Sequence, residues 1–286
     1  MKKNLTSAVF LLLASMAPFS FVTFASLSLV SAEDEENSSA QSDALVQKND
    51  VAKQSSERDV LNQRDDALFL ELDDEPEKLK KLDKSSPIWA AKDRTRVALG
   101  GEICVREGLL EFFACRRNSK EHESIVVLDV PPHLIHAALL AIGAKQGAPA
   151  KYDPEFTPPS GEAIEIEVRW LDSETKKRRT ARAQEFVLEN ESDRTMQASW
   201  VFTGGLFGLD PEGKKYYLAN VTGEVFGVSN FPGSVLDVPL ESSSDNASLY
   251  YSPNTKAIPP VGTKVLLILT RQNARTAATT NAEKKE

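Results

Sequence analysis

An alternation of apolar and charged residues within Ala163–Leu171, strict over residues 164–170, constrains this fold more than any other feature of the chain. Ile164, Ile166 and Val168 occupy one set of alternate positions, and charged side chains occupy the other. Because successive side chains of a strand point to opposite faces, this pattern predicts a half-buried strand with one face in water. Such a strand is typical of an antiparallel sheet, and residues 180–183 are predicted to form its hairpin partner.

Continuous apolar runs predict two fully buried strands, at residues 124–130 and 265–269. One main helix is expected over residues 131–143, where two prolines suit the first turn and a glycine suits the end. Further strands are predicted at residues 96–99, 102–106, 109–115, 200–202, 215–219 and 224–228, with a Glu107-Gly108 turn joining the second and third, and a short helix at 184–188. The sequence therefore predicts an α+β fold, a single strand-rich domain with a mainly antiparallel sheet and one main helix.

The N-terminal segment has the pattern of a secretory signal peptide over residues 1–32. Lys2 and Lys3 precede a charge-free stretch that ends in the small residues Val30-Ser31-Ala32. An uncleaved membrane anchor is the alternative, because the stretch exceeds the roughly 20 residues that span a bilayer. We expect an exported protein, periplasmic or secreted, with membrane attachment only if this segment is retained.

Acidic residues are concentrated in the segment that follows. Residues 33–84 carry 16 Asp and Glu against 8 Lys and Arg, a net charge equal to the −8 of the whole chain. Residues 33–92 are predicted to be a disordered acidic linker, because they hold too few large apolar residues to offset chain entropy. The domain is expected over residues 93–272, with a disordered tail at 273–286. It has no broad basic excess, so we do not expect nucleic acid as a partner.

All cysteines and histidines of the chain lie within residues 104–143. Cys115, His122 and His136 would form a mixed nitrogen and sulfur set that is acceptable to zinc or copper if folding brings them together. The alternatives are a Cys104–Cys115 disulfide, or thiols buried as small apolar residues. The chain has no G-x-S-x-G or H-E-x-x-H motif, and no catalytic residue is predicted.

Polar residues near this segment complete a candidate binding site. The turn that contains Asn230 is expected to line a cleft, with its amide free to bond a ligand. The candidate ligand-binding residues are Glu111, Cys115, Lys120, His122, Glu123, His136 and Asn230.

Five segments of the chain are distinctive when taken in order. They are REGLLEFFAC (106–115), KEHES (120–124), HLIHAALLAIGAKQG (133–147), VFTGG (201–205) and SNFPGSVLD (229–237). Together they resemble the YdjY-type domain, a bacterial exported domain that is sometimes labelled ferredoxin-like. The resemblance covers residues 97–269, includes Cys115, His122 and His136, and implies no established activity. An iron–sulfur cluster is not expected, because such a centre needs four cysteines or two cysteines with two histidines in Rieske spacing.

Three functional hypotheses follow from these observations. The first is a noncatalytic exported domain that binds a ligand or an envelope or extracellular partner. The second is a metal- or thiol-dependent periplasmic activity centred on Cys115, His122 and His136. The third is a structural envelope protein.

Overall fold

The computed structural model of this protein describes residues 63–241 and 250–272, which fall within one unit of the chain, residues 54–286. Helical residues 63–71 (α1) precede α2 (Pro132–Ala141) and α3 (Leu218–Thr222), and short 3-10 turns lie at Pro76–Lys78, Glu121–Glu123 and Ala183–Phe186. The strands are β1 (Leu79–Lys81), β2 (Ile88–Ala91), β3 (Arg96–Ile103), β4 (Phe112–Arg116), β5 (Ser124–Leu128), β6 (Ala163–Leu171), β7 (Arg178–Arg182), β8 (Val187–Glu189), β9 (Arg194–Thr195), β10 (Trp200–Phe202), β11 (Phe207–Leu209), β12 (Lys215–Tyr217), β13 (Glu224–Gly227), β14 (Leu236–Asp237), β15 (Tyr251–Pro253) and β16 (Lys264–Arg271).

Eight of these strands close into a barrel. Their order is β3, β16, β6, β10, β14, β13, β4 and β5, and β5 pairs back onto β3. The closing pair is antiparallel and places Gly101 opposite Leu128 and Ile103 opposite Val126. β1, β2 and β7 extend the sheet outside this ring, while β11–β12 and β15–β8–β9 form two small separate sheets.

The predicted α+β fold is therefore wrong, because the sheet closes on itself into a barrel and few residues are helical. The described strand pairs are mainly antiparallel, as predicted, and β4–β5 and β13–β14 are the two parallel pairs among them. Local periodicity identifies strands but does not show which strand edges meet, and the closing β3–β5 pair skips over β4 in the sequence. The predicted hairpin between residues 102–106 and 109–115 fails for the same reason, since β3 pairs with β5 and β4 pairs with β5 and β13.

The prediction that β6 is a half-buried strand with a hairpin partner is confirmed. Ile164, Ile166 and Val168 point into the main hydrophobic core, and β7 is the antiparallel hairpin partner of β6. The predicted buried strands also form, as β5 and β16. The main helix runs over Pro132–Ala141 and adds Ile135 to the same core.

A second apolar cluster lies on the outside of the barrel, where α1, β1 and β2 cover β3 and β16. Phe69 packs so closely on Gly100 that a Cβ there would stand 2.5 Å from the phenyl ring. The members of this cluster are Phe69, Leu72, Leu79, Trp89, Ala91, Ala98, Leu266 and Ile268. The linker prediction is therefore wrong for β1 and β2, which lie within residues 33–92 but are paired, with Leu79 of β1 and all of β2 buried.

Several predictions fall on residues outside the described ranges. These are the signal segment at 1–32, the linker up to residue 62, and the tail at 273–286. Within the described ranges, no helix has both the length and the apolar character needed to cross a membrane.

Candidate functional site

Both parallel strand pairs are joined by unusually short connections. Residues 117–123 join β4 to β5, and residues 228–235 join β13 to β14. Parallel neighbours usually need a dozen or more connecting residues, because the chain must return along the whole strand. We call these segments the first and second crossover loops. They hold much of the KEHES and SNFPGSVLD segments, and the pairing of β4 with β13 brings them close together.

A lysine lies where the two crossover loops meet. Lys120 Nζ is 2.8 Å from Glu123 Oε1 and 3.6 Å from Glu111 Oε2. It also lies 5.8 Å from the ring centroid of Phe112 and 5.9 Å from that of Phe231, within cation–π range. We call Glu111, Phe112, Lys120, Glu123 and Phe231 the Lys120 cluster. Three of the predicted binding residues therefore do meet.

The Lys120 cluster has more negative than positive charge. Burial raises the pKa of Glu111, and a hydrogen bond and charge repulsion from Glu123 raise it further. Burial also raises the pKa of nearby Glu224, against a smaller opposing effect of Lys120. Burial alone would lower the pKa of Lys120, but its pairing with Glu123 and Glu111 raises it. The Lys120 ammonium group therefore interacts with several carboxyl groups at once.

The second crossover loop is built around a buried aspartate. Asp237 is fully buried, and burial raises its pKa well above the ordinary value. Asn230 Nδ2 donates to Asp237 Oδ1 at 3.3 Å and to the Val238 carbonyl at 3.1 Å. The prediction that the Asn230 amide is free for a ligand is therefore wrong. Its backbone carbonyl accepts a 2.6 Å bond from the hydroxyl of Tyr152, a residue that is half exposed.

Both cysteines are free thiols: Cys115 lies on β4 and Cys104 directly follows β3, and both strands pair with β5. Cys115 is fully buried, and burial raises its pKa. Burial, with a smaller contribution from Cys115, raises the pKa of Cys104 to about 12. A nucleophilic cysteine needs a lowered pKa, so neither thiol is activated in the way that thiol catalysis requires.

We therefore expect neither thiol to react readily with a thiol reagent while the protein is folded. Treatment with an aromatic disulfide reagent at pH 8 should label the native protein slowly. The same reagent should titrate both cysteines in the protein unfolded without a reductant. Fast labelling of the native protein, with Cys115→Ala abolishing the fast phase, would contradict this assignment.

The three predicted metal ligands have separate surroundings. His122 is on the Glu121–Glu123 turn with its side chain 76% exposed, 3.6 Å from Glu123 Oε2. His136 is buried among Phe202, Phe207 and Tyr217, with Nδ1 3.3 Å from the Tyr217 hydroxyl, and burial lowers its pKa. Over residues 63–241 and 250–272, no three His, Cys, Asp or Glu side chains are placed to hold a metal ion together.

The structure also shows groups that sequence reasoning missed. Asp237 and Glu224 lie in the acidic region although their strands are far along the chain from Glu111. The sequence feature that could have identified Asp237 is its position at the end of SNFPGSVLD. A cavity of about 350 Å³ lies on the outer face of β6, and Arg96 and Arg169 line it. Both arginines form ion pairs with Asp73, Asp74 and Glu75.

Comparison with known proteins gives one match. A family model described as the YdjY domain matches residues 88–270, which is more than half of the chain. No curated protein and no solved structure matches the chain. The matched region begins at β2 and ends within β16, so it contains all eight strands of the barrel and both crossover loops.

Proposed function

The chain belongs to the YdjY domain family, and we propose that it is an exported, noncatalytic binding domain. In this proposal the ligand or partner presents a positively charged amino or guanidinium group to the acidic surface of the two crossover loops. The observation that carries the proposal is the charge of the Lys120 cluster and its neighbours. Glu111, Glu123 and Glu224 all interact with Lys120, and the buried Asp237 interacts with Glu224.

The raised pKa values of three of these carboxyl groups support this choice of ligand. A raised carboxyl pKa means that the surroundings disfavour negative charge, and a cationic group placed nearby would relieve that cost. Perturbed carboxyl groups of this kind are common at functional sites. Glu111, Glu224 and Asp237 share this property and lie around the meeting point of the loops.

Aromatic side chains supply the second element of such a site. Phe231 is partly exposed and stacks at 4.8 Å between ring centroids on Phe112. Tyr152 stands half exposed beside the second crossover loop, to which its hydroxyl is bonded. Aromatic faces next to carboxylates are the surroundings that organic cations prefer, since the ring face attracts positive charge.

The proposal is tested by titrating the purified protein with spermidine and with a tri-arginine peptide at low salt, using isothermal titration calorimetry. We expect saturable binding that weakens as salt is added. The double change Glu111→Gln and Glu123→Gln should weaken binding by about tenfold or more, equivalent to about 1.4 kcal/mol. Glu174→Gln, on the exposed turn after β6, is the matched control and should bind as the wild type does.

A second variant distinguishes a cationic ligand from an anionic one. Lys120→Met removes the ammonium group that competes for Glu111 and Glu123, so it should strengthen the binding of spermidine. Circular dichroism would verify that the variant is folded. Absence of saturable binding by either probe, or equal affinity in the Glu111/Glu123 double variant and the wild type, would contradict the proposal.

Export is a separate part of the proposal and rests on the N-terminal sequence alone. Lys2, Lys3 and the charge-free stretch up to Ala32 support it. N-terminal sequencing of the protein recovered from the cell envelope or the medium should find a mature chain that begins near Glu33. A protein found only in the cytoplasm with its first 32 residues intact would exclude export.

A further inference from the structure

The charged face of β6 lines the cavity of about 350 Å³ that lies on the outside of the sheet, which we call the β6 cavity. Glu165, Glu167 and Arg169 alternate with the core residues of β6, and all three line this cavity. Further lining residues come from β3, β7 and β16 and from the segment after α1. Ligand cavities usually have volumes of about 300–1,000 Å³, so the β6 cavity has room for a small molecule.

Charges of both signs line the β6 cavity in nearly equal number. The cationic residues are Arg96, Arg169 and Arg182, and the acidic residues are Asp74, Glu75 and the two β6 glutamates. A ligand with only negative groups would be repelled by the four carboxylates, and a ligand with only positive groups would be repelled by the three arginines. A ligand that carries one group of each sign is therefore the best match to this lining.

Arg182 is the arginine whose charge is most available to a ligand. Its side chain is exposed and forms no ion pair within residues 63–241 and 250–272, although Arg182 is directly opposite Glu167 in the β6–β7 pair. Arg96 and Arg169, in contrast, are held by Asp73, at 2.8 Å and 3.7 Å from its two carboxylate oxygens. The fixed arginines therefore belong to a preformed wall, and Arg182 is left to bind the negative group of a ligand.

An apolar side chain completes the lining. Ile268 of β16 lines the β6 cavity and belongs to the apolar cluster on the outside of the barrel. Small-molecule sites typically combine such apolar contacts with a few polar groups that fix the orientation of the ligand. The ligand is therefore expected to have a small apolar part between or beside its two charged groups.

We propose that the β6 cavity binds a small zwitterion, a free amino acid or a dipeptide with small apolar side chains. Its carboxylate contacts Arg182, because a guanidinium group can donate two parallel hydrogen bonds to a carboxylate. Its ammonium group contacts Glu165 and Glu167, which lie two residues apart and so on the same face of β6. Its apolar part contacts Ile268.

The β6 cavity is separate from the surface proposed to bind organic cations. It shares no residue with the Lys120 cluster. The double variant Glu111→Gln and Glu123→Gln should therefore bind the zwitterion as the wild type does. A failure of the spermidine titration would leave the zwitterion proposal standing, and the reverse also holds.

The test titrates the purified protein with L-alanine and with L-alanyl-L-alanine at neutral pH, using isothermal titration calorimetry. We expect saturable binding of at least one of these two probes, and the tighter one identifies the ligand as an amino acid or a dipeptide. The N-acetyl derivative of that probe lacks the ammonium group, and its C-terminal amide lacks the carboxylate. Each derivative should bind at least about tenfold more weakly, equivalent to about 1.4 kcal/mol.

Two variants assign the charged groups of the probe to residues of the cavity. Arg182→Met should weaken binding by about tenfold or more, whereas Arg179→Met should leave it unchanged, because Arg179 lies on the opposite face of β7. Glu165→Gln should remove most of the difference in affinity between the probe and its N-acetyl derivative, because residues and groups in contact show coupled effects. Circular dichroism would verify that each variant is folded.

The derivatives test the unchanged protein, so the proposal stays falsifiable even if a variant fails to fold. Absence of saturable binding by both probes overturns it. A derivative that binds as tightly as its parent probe also overturns it, because the site would then recognise a single charge. The same holds if folded Arg182→Met binds the probe as the wild type does.

Discussion

Replacing Asp73 with alanine is expected to lower the free energy of unfolding by about 3–5 kcal/mol, because it leaves buried positive charge without its carboxylate partner. The Asp73 side chain is fully buried, and its Oδ1 accepts hydrogen bonds from Arg96 at 2.8 Å and from the Glu75 backbone N–H at 2.8 Å. Arg169 lies 3.7 Å from Oδ2, and the Asp73 carbonyl accepts a bond from Arg178. This one residue therefore ties the segment after α1 to β3, β6 and β7.

Asp74→Ala is the matched control for this prediction. Asp74 also pairs with Arg169 and Arg178, but its side chain is 61% exposed, so its ion pairs are screened by water. Its loss should cost at most about 1 kcal/mol. Urea unfolding of both variants measures the difference, and a cost for Asp73→Ala no larger than that of the control would contradict the role given to Asp73.

The second large effect is expected for Trp200→Ala, which should cost about 3–5 kcal/mol through the cavity it leaves in the barrel core. Trp200 is fully buried on β10, and its ring centroid is 5.3 Å from that of Phe113 on β4. Its indole Nε1–H donates a 2.7 Å hydrogen bond to the carbonyl of Gly227. The residue thus connects the barrel core to the end of β13, where the second crossover loop begins.

Trp200→Phe separates packing from hydrogen bonding. It keeps most of the apolar volume but leaves the Gly227 carbonyl without the indole donor, at a cost of about 1–3 kcal/mol. Trp170→Ala serves as the control, because Trp170 is only partly buried and packs at the edge of the same core. In denaturant unfolding, Trp200→Ala should lower the free energy of unfolding the most. Trp200→Phe and Trp170→Ala should each lower it by less. A loss for Trp170→Ala equal to that for Trp200→Ala would contradict the account of the core.

Local sequence patterns predicted much of the secondary structure but not the closure of the sheet. The alternation in β6 and the apolar runs in β5 and β16 reflect which faces of these strands are buried, so the sequence pattern reveals them. The pairing of β3 with β5 produces no local sequence pattern, because it depends on the twist and length of every strand in the ring. β1 and β2 were missed because most of their apolar residues cover the outside of the barrel from within an acidic segment.

The candidate site was predicted only where its residues are close together in the sequence. Glu111, Lys120 and Glu123 meet because the short first crossover loop returns to the start of β4. Asp237 and Glu224 reach the same region only through the pairing of β13 with β4 and β14, which the linear pattern does not show. His136 was grouped with Cys115 by sequence distance, yet its helix directs it to an aromatic cluster beside Tyr217.

The central claim is that the two crossover loops hold carboxyl groups whose negative charge is not neutralised by the chain itself. Carbon-13 NMR titration of the side-chain carboxyl carbons of Glu111, Glu224 and Asp237 tests it most directly. The account predicts pKa values above the ordinary values, which are about 4.3 for Glu and 3.9 for Asp, in line with the burial of all three groups. Addition of spermidine should lower the pKa of Glu111. Three carboxyl groups that titrate at or below their ordinary pKa values, unchanged by spermidine, would contradict the claim.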